Sequence, residues 1–267
     1  MLVEFIGTYL IMLLVADIGN TSTTMGVYKG DQLLKTWKLT SDKNRSHDEY
    51  GIIINNMIKH EGLIDKLEGA MISSVVLPLT EKFKTAIENY LDIPVTNLST
   101  KINTGLKFDV DNPKEVGADR IANGYAAFRK YKSPTVVVDF GTATTFDIVN
   151  ADGKFIGGII TPGIGISAEA LSSFTSLLPK VKLEAPGATI GRNTIDAMLS
   201  GLVRGHAAMI DGLIVSVEEE LGSTVTTIAT GGYSPMITEC MKRPFDYLDP
   251  NLTLEGLRLI YELNHAQ

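Results

Sequence analysis

The feature that most restricts the fold of this chain is a motif that occurs twice. DIGNTSTT at Asp17 to Thr24 and DFGTATT at Asp139 to Thr145 each end an apolar run on one carboxylate, turn through glycine and hydroxyl residues, and open a second apolar run. Either stretch alone reads equally well as an ordinary hairpin, since Gly-Asn is common turn chemistry. Two of them in matching positions of two similar halves indicate an internal repeat.

The segments around the motifs support that reading. LLVADIG, TTMGVYKG and LLKTWKLT form three strand-like runs joined at Gly19-Asn20 and Gly30-Asp31. Ser46 to Glu49 (SHDE) has the capping-box pattern, and Tyr50, Ile53, Ile54, Met57 and Ile58 then recur near one helical face. A strand follows at GAMISSVV, then a helix that Thr80 can cap, with Phe83, Ile87, Tyr90 and Leu91 at helical spacing, then a strand at IPVTNLS. After Pro113 the order restarts with a helix over Ala118 to Tyr131, the strands PTVVVDFG, TATTFDIVN and KFIGGIITPG, a long helical stretch from about Thr194 to Leu221, the strand TVTTIATGG and further helices. The expected fold is α/β, with two domains at 12–115 and 116–267, each a mixed sheet flanked by helices. Residues 1–11 are an extension of unknown role.

Composition excludes several function classes. With 267 residues, 44% of them hydrophobic, the chain can bury a sizeable core. Its net charge of −7, and the absence of any basic run longer than pairs such as Lys242-Arg243, argue against nucleic acid as a partner. Cys240 is the only cysteine and the four His are scattered, which excludes an intrachain disulfide framework, makes structural zinc improbable and fits a reducing cytoplasm. Ile6 to Ala16 is uncharged but too short to span a bilayer, and it follows Glu4 in place of a basic region, so no membrane partner is expected. His47, His60 and His206 form no metal-spaced pair and read as structural or exposed. Met198, Leu202, Met209, Leu213 and Val217 in the long helical stretch suit either the core or a dimer contact.

The repeated hairpins carry the chemistry. Each places a carboxylate at a strand end, a glycine that admits close approach to the backbone, and amide and hydroxyl donors in the turn. That set suits a magnesium nucleotide, because Mg²⁺ prefers hard oxygen ligands and phosphoryl transfer depends on positioning and charge stabilisation. The GxxxxGK[ST] loop is absent. A third element, ATGG at Ala229 to Gly232, lets a flat group such as an adenosine lie against Gly231 and Gly232. This order of elements resembles the superfamily of sugar kinases, heat-shock ATPases and actin, which implies two ribonuclease H-like domains closing on ATP.

NPKEVGADRIAN, Asn112 to Asn123, narrows the resemblance. By themselves Asp119 and Arg120 admit a plain structural reading, with the acid favouring the positive helix end and the arginine pairing with a nearby carboxylate. Together with the hairpins, GGIITPGI (Gly157 to Ile164) and GRNTIDAM (Gly191 to Met198), the chain resembles the type III pantothenate kinases from Met12 onward. The resemblance implies ATP-dependent phosphorylation of pantothenate to 4′-phosphopantothenate, the first step of coenzyme A biosynthesis. It implies Asp119 as general base, and Gly117, Ala118, Arg120 and Thr194 as pantothenate-binding residues. Asp17, Ile18, Gly19, Asn20, Thr21, Ser22, Thr23, Thr24, Thr142, Gly231 and Gly232 would bind ATP, with Asp17 holding Mg²⁺ through the phosphates. Asp139 would hold a monovalent cation, K⁺ or NH₄⁺. A homodimer with the acceptor site at its interface is also implied, Thr194 reaching across. In one departure, Val110 stands where many members have Tyr, so a contact from that ring is missing or supplied elsewhere. A kinase of the same superfamily with another acceptor, and a non-enzymatic regulator, are the alternatives to this reading.

Overall fold

In the computed structural model, which describes residues 11–131 and 134–265, the two hairpins lie in two separate sheets of matching design. All of the proposed N-terminal extension but Ile11 lies outside the described residues. The first half contains β1 (Met12–Ile18), β2 (Ser22–Lys29), β3 (Gln32–Thr40), α1 (His47–His60), β4 (Gly69–Ser74), α2 (Leu77–Leu91) and β5 (Val95–Asn97). There follow β6 (Lys107–Phe108), α3 (Ala118–Tyr131), β7 (Thr135–Phe140), β8 (Ala143–Val149), β9 (Lys154–Pro162), α4 (Ile164–Ser173), α5 (Thr194–Leu199), α6 (Gly205–Leu221), β10 (Thr226–Thr230), α7 (Ser234–Thr238), β11 (Tyr247–Leu248) and α8 (Leu252–His265). The sheet orders are β3-β2-β1-β4-β5 and β11-β10-β7-β8-β9-β6. β1 pairs antiparallel with β2 and parallel with β4, and β7 stands in the same relation to β8 and β10. Apart from β6, the second sheet therefore repeats the first strand for strand.

The chain forms two compact units. One takes the chain up to Thr104, Gly117–Asp119 and the segment from Leu257; the other takes Gly105–Val116 and Arg120–Gly256. In the first, Leu14, Val15 and Ala16 have no exposure, because a central strand is covered on both faces and reads as a continuous apolar run. The capping box at α1 is complete: Ser46 Oγ accepts from Glu49 N at 3.2 Å and Glu49 Oε2 accepts from Ser46 N at 2.7 Å. Tyr50 packs on Phe83 of α2 with ring centroids 4.3 Å apart. Thr80 does not cap α2. The helix starts at Leu77 with proline in its first turn, and Thr80 Oγ1 donates back to Val76 O at 3.2 Å from inside the helix. Proline has no N–H to satisfy and a preset φ, so it opens the helix without a side-chain cap.

In the second unit the helical run Thr194–Leu221 continues through a π-helical turn at Ser200–Arg204. By length and apolarity this 28-residue run could cross a bilayer, yet half of its apolar 18-residue window is buried. Leu202, Val203, Ala207, Ile210 and Ile214 pack with Val136, Val138 and Phe146, and Met209, Leu213 and Val217 lie against the same cluster. These apolar residues are thus core of their own unit. The short strands β6 and β11 and the glycine-containing α4 have no signal in the sequence pattern, since two-residue strands have no period and glycine weakens a helical pattern.

Candidate active site

In the first unit, Asp17 is the penultimate residue of β1, opposite Thr24 on β2 and Ser73 on β4. It is half-buried, and Ser73 Oγ donates to its Oδ1 at 2.6 Å. Ile18 is fully buried and anchors the strand end. Gly19 N then closes the turn on Ser22 O at 3.1 Å, where a Cβ on Gly19 would stand only 3.0 Å from that carbonyl. Asn20 and Thr21 are exposed at the tip, Ser22 and Thr24 are half-buried, and Thr23 is buried with its hydroxyl 3.0 Å from that of Ser41.

The start of α3 belongs to this unit. Asp119 stands in its first turn, where unsatisfied N–H groups favour an anion. Gly117 lies against that carboxylate: a Cβ there would stand 2.5 Å from Asp119 Oδ1, which would have to move, and 3.6 Å from Val75 Cγ1. Val75 follows β4, and its amide donates to Ile18 O at 3.3 Å. The first unit thus brings Gly117, the buried Ala118 and Asp119 to the end of the sheet where Ile18 closes β1.

The second unit repeats the hairpin. Asp139 lies opposite Thr145 on β8 and Thr230 on β10, the positions of Thr24 and Ser73 relative to Asp17. Asn123 Nδ2 donates to Asp139 Oδ2 at 3.1 Å, and Thr253 Oγ1 donates to Asn123 Oδ1 at 2.7 Å. Asn123 ends the NPKEVGADRIAN motif, but nothing in the linear order marks its partners on β7 and α8. Thr142 is exposed at the turn, and the main chain behind it is so close that a Cβ on Gly163 would collide with Thr142 O.

The two glycines after β10 differ. Gly231 has φ +85° and a Cβ there would stand 2.7 Å from the N, C and O atoms of Phe140, so the protein's own backbone requires this glycine. Gly232 has open space where a Cβ would project. Thr194 is exposed as the first residue of α5, whose Asn193 cap accepts from Asp196 N at 2.9 Å. Val110 is half-buried just past β6. Arg120 makes the structural pairing that its position allowed, an ion pair with Asp147 on β8.

Of the two roles its sequence position allows, His206 takes the structural one: it is buried, with Nε2 3.0 Å from the hydroxyl of Thr144 in the second hairpin. Burial lowers its pKa below the usual imidazole value. Above about pH 6.5, the unfolded value, the group is neutral in both states and costs nothing. As pH falls below that, the unfolded chain takes up the proton first and stability is lost until the lowered folded pKa is passed. Urea melts between pH 7.5 and 5 are therefore expected to show a stability decline that is smaller in His206→Gln, measured relative to each protein's own value at pH 7.5.

Among the described residues no group of three or more His, Cys, Asp or Glu could hold a metal ion. Asp17 and Asp139 are single strand-end carboxylates. This donor set fits Mg²⁺ brought in on phosphates, which commonly takes one or two protein carboxylates, better than a protein-built metal cage.

The model of the type III pantothenate kinase family matches residues 13–216. A type III pantothenate kinase from Roseiflexus sp. (strain RS-1) is 44% identical over 256 residues, covering 96% of this chain and all of that protein. One from Myxococcus xanthus is 43% identical with the same coverage. Among solved structures, a ROK family glucokinase from Streptomyces griseus aligns over 96% of this chain and 100% of its own with a TM-score of 0.55 at 12% identity. Component A of the (R)-2-hydroxyglutaryl-CoA dehydratase of Acidaminococcus fermentans covers 94% of this chain and 97% of its own with a TM-score of 0.54 at 12% identity. At such identities these structures establish the fold alone, the two-sheet α/β architecture of the sugar kinase and actin-like ATPases. With the family model covering most of its length and near-full-length relatives above 40% identity, this chain belongs to the type III pantothenate kinase family.

Proposed function

We propose that the protein transfers the γ-phosphoryl group of ATP to the primary hydroxyl of pantothenate, giving 4′-phosphopantothenate for coenzyme A synthesis. The observation that carries this is the pair of equivalent strand-end carboxylates, Asp17 and Asp139, in a chain whose α3 also carries Asp119 in its first turn. Asp119 accepts the hydroxyl proton as the acceptor attacks, a role that needs a carboxylate within hydrogen-bond reach of the alcohol. Arg120 binds pantothenate, for which the guanidinium offers bidentate contact to a carboxylate. The exposed tip residues Asn20, Thr21 and Thr142 hold phosphate oxygens with backbone and hydroxyl donors, and Gly232 admits the adenosine.

Asp17 would hold Mg²⁺ with the ATP phosphates and Asp139 a K⁺ or NH₄⁺ ion. Such cations, when bound, neutralise charge on the phosphate oxygens. The acceptor site is completed in a homodimer by Thr194 of the partner subunit. Support for a dimer comes from large apolar side chains exposed within one stretch of the second unit: Ile160, Ile166, Phe174, Leu177, Ile190 and Ile195. The setting is the cytoplasm, consistent with a single cysteine.

The test is ADP release from purified protein with Mg-ATP, with and without pantothenate, in potassium and in sodium buffer. Turnover requiring pantothenate and potassium is expected. Turnover that ignores pantothenate would point to another acceptor, and equal rates in the two buffers would remove the cation role of Asp139.

A further inference from the structure

Arg120 meets a carboxylate that solvent never reaches. Asp147, within β8, is 0% exposed, and its Oδ1 accepts from Arg120 Nε at 2.5 Å. Arg120 Nη2 donates to Phe146 O at 3.2 Å, and the guanidinium carbon lies 5.5 Å from the centre of the Phe155 ring. On β9, a Cβ at Gly158 would collide with both Arg120 Nη2 and Phe146 O. Two strands thus supply a carboxylate, a carbonyl, an aromatic ring and a bare backbone, all around one planar group. Such an arrangement is a poor source of stability, because desolvating a buried pair offsets most of its attraction. It is a good way to fix the plane of a guanidinium, whose fork geometry makes its contacts depend on orientation.

We propose that Asp147 is a positioning residue for Arg120. It sets the plane in which the guanidinium meets the acceptor, and Gly158 keeps that plane open. This rests on the reading that Arg120 binds pantothenate. Asp147 acts only through Arg120, so its loss degrades acceptor recognition and leaves nucleotide recognition alone.

Steady-state kinetics on the full-length enzyme separate these statements. Asp147→Asn is expected to raise KM for pantothenate about ten- to hundredfold, the scale of a small misplacement of a binding group, with KM for ATP unchanged. Arg120→Ala should raise the same constant, and Arg120→Ala/Asp147→Asn should be no worse than Arg120→Ala. The double variant leaves no lone buried charge, so it remains usable if Asp147→Asn alone fails to fold. Added guanidinium ion should partly restore pantothenate KM in Arg120→Ala and should not in the double variant, since Asp147 is what seats the ion. Equal rescue in the two backgrounds overturns the proposal, as does an Asp147→Asn enzyme whose thermal midpoint falls while both KM values stay put. If Arg120→Ala itself leaves pantothenate KM unchanged, the substrate role of Arg120 is wrong and the proposal falls with it.

Discussion

Asp119→Asn is expected to lower kcat by roughly 10²- to 10⁴-fold, the usual contribution of a positioned general base. That corresponds to about 3–5 kcal/mol of transition-state stabilisation. The amide is nearly isosteric but cannot take the acceptor proton. Its cost to the fold is small, because the residue is half-buried in the first turn of α3 and loses about 0.3–1 kcal/mol of charge–dipole interaction. Nucleotide affinity, measured by calorimetry with a non-hydrolysable ATP analogue, should match the parent. A variant that turns over at the parent rate would remove Asp119 as the base, and one that no longer binds nucleotide would assign it to ATP.

Gly231→Ala is expected to destabilise the fold strongly. The new Cβ would stand 2.7 Å from three backbone atoms of Phe140, at φ +85°. Overpacking and a left-handed non-glycine residue together cost roughly 2–4 kcal/mol. At this chain length that is a drop of about 5–15 °C in Tm. Phe140 is the last residue of β7, directly after Asp139, so the strain falls on the second hairpin itself. Gly232→Ala is the contrast, since its Cβ would project into open space and Tm should barely move. If adenosine lies there, as proposed, Gly232→Ala raises KM for ATP instead. Scanning calorimetry beside ATP titrations distinguishes the two glycines, and a thermally neutral Gly231→Ala would refute the packing argument.

Much of the architecture was legible because it rests on local rules. The runs ending at Asp17 and Asp139 became the central strands β1 and β7, and the SHDE box at Ser46 to Glu49 capped α1 through both of its hydrogen bonds. Where a local rule had a competitor, the reading failed, as at Thr80, where proline in the first turn started the helix instead. The two-residue strands β6 and β11 could not be seen, since pairing with a neighbour, and not their own pattern, makes them strands.

For the candidate site, the linear order contained the residue types that phosphoryl transfer needs: two strand-end carboxylates, a third at a helix start, and donors in both turns. It did not contain their supports. Ser73 beside Asp17, Asn123 beside Asp139, Thr253 beside Asn123, Asp147 beneath Arg120 and His206 behind Thr144 lie 16 to 130 residues from their partners in sequence. By itself Arg120 reads more readily as an ion-pair partner than as a ligand contact, and only the packing of β8 and β9 shows the carboxylate that holds it. Gly231 and Gly232 were indistinguishable as letters until Phe140 was found against one of them and open space against the other. Periodicity, caps and turn chemistry act within a few residues and so are written in the sequence. Hydrogen-bond partners and steric limits are set by which strands become neighbours, and those were decided only when the sheets formed.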